Sequence, residues 1–216
     1  MQRRVYQFIP EAPREVGELE WLALLQHHGG PTRLLDFTHS FYVAAFFALE
    51  RARPASGTVW AIDQRTLNAS ASEQYRARVE PALGAGFEFD RDDGARFGRA
   101  IREEVTEPIA VSLEPVQMNS RLAAQQGLFV APLALGQPFE ENLAGSFGRP
   151  AAALTNRAKA NYPEAPWPDT PIVEVRLPVK MHLDALRDLR RTNVTAATLF
   201  PGLDGLARSL AYCLLD

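Results

Sequence analysis

The chain has 216 residues, 46% of them hydrophobic and 23% charged, with a formal net charge of −3. That length suits one ordinary domain burying roughly 70% of the surface its unfolded form exposes, and the composition excludes global disorder and collagen-like repeats. The mild negative charge excludes a basic field over the whole chain, so sequence-independent binding to nucleic acid is not expected.

In chain order, residues 1–17 read as a lead-in. Leu19, Trp21, Leu22 and Leu25 then predict a helix from about Gly17 to His28. Gly29-Gly30-Pro31 stops it, because Gly accepts a left-handed cap and Pro cannot continue a helix. Thr32 to Phe37 reads as short and extended. A second helix is expected from His39 to about Arg51, capped by Thr38 or Ser40. It is apolar nearly all round, which predicts a central, buried position. The turn residues Pro54, Ser56 and Gly57 introduce a strand at Thr58 to Ile62.

Residues 64–106 are polar and mixed, without a clean period from Gly84 to Arg102, so loops and short helices are expected there. Ile109 to Leu113 reads as a strand, Met118 to Gln126 as a short helix ended by Gly127, and Leu128 to Ala131 as a strand. Five prolines between Arg149 and Pro171 predict a surface excursion over 149–171. Ile172 to Leu177 alternates as a strand does. Val179 to Arg190 and Leu203 to Leu214 read as helices. Strands scattered among helices without strict alternation predict an α+β fold, a single domain over 18–216 built on one mixed β-sheet packed with helices.

Several familiar motifs fail. Gly84-Ala85-Gly86 lacks the third Gly and the preceding strand of a dinucleotide fingerprint. Asp90, Asp92 and Asp93 resemble a calcium loop, but Gly94 occupies a ligand position and the twelfth position is Ile101. Ser146 lacks nucleophile-elbow spacing. His27 and His28 are neighbours that cannot share one metal on a helix face, and no metal set is expected. Cys213 is the single cysteine, so no internal disulfide forms and a reducing compartment is the simplest setting. Val5 to Ile9, ended by Pro10, is too short for a signal-peptide core, and Phe41 to Leu49 is about half a membrane span. A cytoplasmic chain with no membrane partner is the expectation.

What remains is a polar stretch between two apolar helices: Gln26-His27-His28-Gly29-Gly30-Pro31-Thr32-Arg33-Leu34-Leu35-Asp36-Phe37-Thr38. If 32–38 is extended, Thr32, Leu34, Asp36 and Thr38 share one face and Arg33, Leu35 and Phe37 the other. A purely structural role is equally open: Asp36 as a helix cap, Arg33 as half of an ion pair, His28 bonded to its own helix end. Two further segments accompany it. Arg121 and Gln125 share a helix face at i, i+4, followed by Gln126 and Gly127. Thr198-Leu199-Phe200-Pro201-Gly202-Leu203-Asp204-Gly205 is a tight turn feeding a helix that Asp204 can cap.

Together these segments, with Ala44-Ala45-Phe46-Phe47-Ala48 after the first and Leu128-Phe129 after the second, resemble the signature of the FRG domain from about residue 18 onward. The resemblance implies company with bacterial and phage proteins of mostly unassigned activity, phage defence among their settings. Members open with an aromatic-Arg-Gly strand, from which Arg3-Arg4-Val5-Tyr6 departs; a misplaced start, a natural fragment and a member that has shed the element are the three expectations this leaves open. What the resemblance implies about function divides in two. One reading is a binding module for a small-molecule or nucleotide ligand or a protein partner, using His27, His28, Thr32, Arg33, Asp36, Thr38, Arg121, Gln125 and Gln126, with Gly127 and Asp204 structural. The other rests on a looser similarity to ADP-ribosyltransferase-like folds. There His28, Thr32, Arg33, Asp36 and Thr38 would line a pocket for NAD, Gln125 or Gln126 would face the ribose, and the nicotinamide–ribose bond would be cleaved. Arg33 would neutralise phosphate, which a guanidinium fork suits.

Overall fold

The computed structural model describes residues 17–50, 56–81, 88–89, 94–157 and 171–213. Its elements, in order, are α1 (Glu18–His27), β1 (Leu35–Thr38), α2 (Phe41–Glu50), β2 (Gly57–Ile62), α3 (Gln64–Arg78), α4 (Gly94–Arg102) and β3 (Ala110–Leu113). After these come α5 (Ser120–Ala124), β4 (Gly127–Pro132), α6 (Phe139–Ser146), β5 (Thr155–Arg157), β6 (Ile172–Leu177), α7 (His182–Arg191), α8 (Ala196–Leu199) and α9 (Leu203–Cys213). The α+β expectation holds. In place of one mixed sheet there are two three-stranded sheets, of order β1-β4-β3 and β2-β6-β5. The lead-in to residue 16, Gly84 to Gly86, Asp90 to Asp93 and residues 158–170 of the Pro-rich excursion lie outside the described residues.

Contacts divide the chain into two compact units. The first comprises Met1–Leu35, Asn68–Gln117 and Val130–Gly148. In it α1 buries Leu19, Trp21 and Ala23, and α4 packs on it where Gly94 faces Leu19 and Gly98 faces Glu18, with Phe97 of α4 fully buried. The Arg102 guanidinium on α4 donates to Glu18 on α1. Gly29, at φ +79°, supplies the left-handed residue that closes α1, and the next N–H, that of Gly30, returns to the Leu25 carbonyl at 2.9 Å.

Polar side chains complete the backbone hydrogen bonding of this unit. Asn68 Nδ2 donates to the Ser112 carbonyl at 3.0 Å while its Oδ1 accepts the Ser112 N–H at 2.9 Å, so one amide replaces a neighbouring strand. Asn142 does the same for Ala134, at 3.0 and 3.1 Å. Ser146 Oγ donates to the Ala110 carbonyl at 2.8 Å and accepts its N–H at 2.7 Å. These three polar residues are buried because the backbone groups they serve would otherwise be orphaned.

The second unit comprises Asp36–Leu67, Met118–Phe129 and Arg149–Asp216. Its core gathers Val43, Phe46 and Leu49 of α2, Val59 of β2, Leu189 of α7, and Ala196 and Leu199 of α8. β2 runs antiparallel to β6 from Gly57↔Leu177 to Ile62↔Ile172, and β5 adds parallel to β6. α2 begins where sequence places it: Ser40 Oγ accepts the Val43 N–H at 3.4 Å, and Thr38 Oγ1 accepts the Ser40 N–H at 3.0 Å. The expectation that α2 is buried all round is corrected. Phe41, Tyr42 and Phe47 are 49%, 60% and 39% exposed, since core lies against one side only. The end of α5 also differs from expectation. Gln126, at φ +48°, takes the left-handed position assigned to Gly127, and Gly127 is already the first residue of β4.

Candidate functional site

In the first unit the polar stretch after α1 folds back on itself. Thr32 donates to the Gln26 side-chain carbonyl, and Thr32 Oγ1 accepts the Leu34 N–H at 3.1 Å. The His27 and His28 rings meet edge to face with centroids 5.0 Å apart, and His28 is exposed. Arg33 reaches across to the end of β4, where its Nη1 donates to the carbonyls of Leu133 at 3.0 Å and Pro132 at 3.3 Å. Burial lowers the Arg33 pKa from its ordinary value, because desolvation disfavours the cation. One guanidinium nitrogen of Arg33 is thereby committed to holding the chain.

In the second unit Asp36 is exposed on β1, not taken into the core. Thr38 marks the start of a connected set. Its hydroxyl donates to the Gln125 carbonyl at 2.7 Å, and the His39 N–H donates to the Gln126 carbonyl at 3.0 Å. Asn119 caps α5 by accepting the Leu122 N–H at 2.8 Å, which fixes where Arg121 and Gln125 emerge. Gln125 Nε2 then donates to the Leu199 carbonyl at 2.9 Å, tying the end of α5 to the end of α8.

The next residue, Phe200, is the centre of the set. The Arg121 guanidinium carbon lies 4.7 Å from its ring centroid and that of Arg208 lies 4.4 Å from it. Phe47 meets the same ring edge on at 5.8 Å. Both guanidinium groups are within cation–π range. Arg208 also donates to Glu50, whose side chain is 2% exposed, in an ion pair at the end of α2. Among the described residues, no carboxylate pairs with Arg121.

Thr38, Arg121, Gln125 and Gln126 of the expected residues thus belong to one constellation, with Gly127 entering β4 beside them. Asp204 sits exposed in the first turn of α9, four residues after Phe200. His27, His28, Thr32 and Arg33 belong to the first unit. Sequence reasoning missed Phe47, Glu50, Phe200 and Arg208. Glu50 carried a signal, as the only acid in an otherwise apolar helix, FYVAAFFALE. Among the described residues, no three His, Cys, Asp or Glu side chains gather as a metal ion would need, and no helix is long and apolar enough to cross a membrane.

Residues 1–57 match the family model of the FRG domain. Over that stretch the chain is similar to the FRG domain. The FRG match takes in α1, β1 and α2 and reaches the first residue of β2, so it includes the whole polar stretch from Gln26 to Thr38. Arg121, Gln125, Phe200 and Arg208 lie beyond the matched residues. No curated protein and no solved structure matches the chain.

What the constellation around Phe200 can do chemically follows from its donors. Arg121 offers a charged, planar fork suited to carboxylate or phosphate oxygens. The contact with Phe200 orients that fork without neutralising its charge. Gln125, held by Leu199 through Nε2, keeps a carbonyl oxygen that can accept from a ligand hydroxyl. The set thus offers a cation, an aromatic face and an amide carbonyl.

Proposed function

We propose that this protein, similar to the FRG domain over residues 1–57, is a binding module for a small anionic ligand of the nucleotide class. Arg121 takes the phosphate, Phe200 holds the guanidinium in place, and Gln125 accepts from a ribose hydroxyl. The observation that carries this reading is the Arg121 cation, half-buried on an aromatic face with no carboxylate partner among the described residues. A guanidinium so placed is oriented before the ligand arrives, which lowers the ordering cost of binding. Arg208, on the same ring, is by contrast engaged with Glu50.

Calorimetric titration with pyrophosphate, AMP and NAD tests the reading. Binding of NAD and AMP more tightly than of pyrophosphate is expected, because only they bring a ribose to Gln125. Absence of heat with all three at millimolar concentration overturns it. NAD cleavage is distinguished in the same preparation by nicotinamide release. Binding without release is the outcome expected of a module.

A further inference from the structure

A concavity of the second unit, with a volume of about 530 Å³, is bordered by α2, α7, α8 and α9. Its lining includes the apolar Phe46, Leu186, Val194 and Ala196, and among the described residues the charged ones lining it are Arg187, Arg190 and Arg191. Leu183, Leu186, Arg187 and Arg190 recur at i, i+3, i+4 and i+7 along α7, so apolar and cationic groups share one helix face. We propose that this groove docks an acidic amphipathic helix of a partner protein.

Three features support that occupant. First, the apolar surface does not end with the cavity. Leu183 is 53% exposed, and on α9, beside the groove-lining Ser209, the side chains of Leu203, Leu206 and Leu210 are 78%, 49% and 56% exposed. Those three leucines stand at i, i+3 and i+7 and make a stripe about 10 Å long, given the rise of a helix. A small molecule filling the cavity leaves that stripe in water; a helix laid along the groove covers both. Second, recognition of helices in grooves works through such anchors at i, i+3, i+4 and i+7. Third, the arginine rim is complementary to acids, although the chain as a whole carries −3. Asp184 and Asp188 pair with Arg187 at 3.4 Å and Arg191 at 3.0 Å. Both pairs are exposed and worth little each, and neither aspartate is among the described residues that line the groove.

The test is fluorescence anisotropy with a fluorescein-labelled 20-residue peptide carrying Leu at i, i+3, i+4 and i+7 and Glu on the flanks. Saturable binding to the full chain at low salt, weakened as salt rises, is expected. The double variant R190E/R191E should lose roughly tenfold or more in affinity, and Leu183→Ser should lose it independently of charge. All three positions are exposed, and a thermal melt of each variant checks that it remains folded. The proposal is overturned if the peptide does not bind, if a Lys-flanked peptide binds equally well, or if both variants bind like the wild type. It is equally overturned if the chain forms a dimer that R190E/R191E dissolves, or if decanoate binds the groove while the peptide does not.

Discussion

At the scale of single residues, the chain uses polar side chains where a larger sheet would use strands. Ser146 serves both the N–H and the carbonyl of Ala110, so replacing it with Ala leaves two buried backbone groups without that partner. Ser146→Ala is expected to cost about 2 kcal/mol in denaturant melts. Tyr75 makes a different prediction. It is 4% exposed and packed edge on against Phe89 at 5.2 Å. Burial raises its pKa above the ordinary 10.0, with Glu80 and Glu103 adding to the effect and Arg99 opposing it. The unfolded chain therefore loses this proton more readily than the folded one. The stabilisation is complete below the ordinary tyrosine value and is lost as pH rises through the higher folded value. Melts between about pH 9 and about pH 11 should show stability falling more steeply in the wild type than in Tyr75→Phe. At the end of α2, Arg208→Ala removes a partner of a buried carboxylate, Glu50. A loss of about 3 kcal/mol is expected, and Glu50→Gln should recover part of it in the Arg208→Ala background.

At the scale of elements, what could be read from sequence depended on whether the buried face was apolar. α1, α2, β2 and β6 declare themselves because leucines, phenylalanines and valines fall at the right period. α3 does not, although it is the longest helix among the described residues at 15. Its buried line is Leu67, Ala71 and Tyr75, and beside it Asn68 and Ser72 are buried as hydrogen-bonding groups. Polar residues in the core break the period on which a helix is recognised, so the segment reads as loops and short helices in place of one 15-residue helix. The turn between α8 and α9 is better marked, and it makes its own prediction. A Cβ at Gly205 would overlap the carbonyl oxygen of Phe200 and crowd that of Ala196. Gly205→Ala should destabilise by about 2 kcal/mol by thermal melt, against the gain of up to about 1 kcal/mol that Ala normally brings to a helix.

At the scale of the whole molecule, the polar stretch from Gln26 to Thr38 was visible because dense polarity between two apolar helices is unusual. The long-range pairs around Phe200 were not. Glu50 and Arg208 are 158 positions apart, and Gln125 and Leu199 are 74 apart. No local pattern encodes such pairs; they exist only once the chain has folded. The cationic groove was hidden for another reason. Its arginines sit in a helix that also carries Asp184 and Asp188, so charge counting sees a balanced, solvated surface. The proposed nucleotide site depends on the Arg121 charge, and calorimetry of NAD binding to the wild type and to Arg121→Met is the decisive measurement. An unchanged melting temperature with affinity reduced roughly tenfold or more is the predicted result, since methionine keeps the packing against Phe200 and removes the charge. Equal affinity of the two proteins for NAD would contradict it.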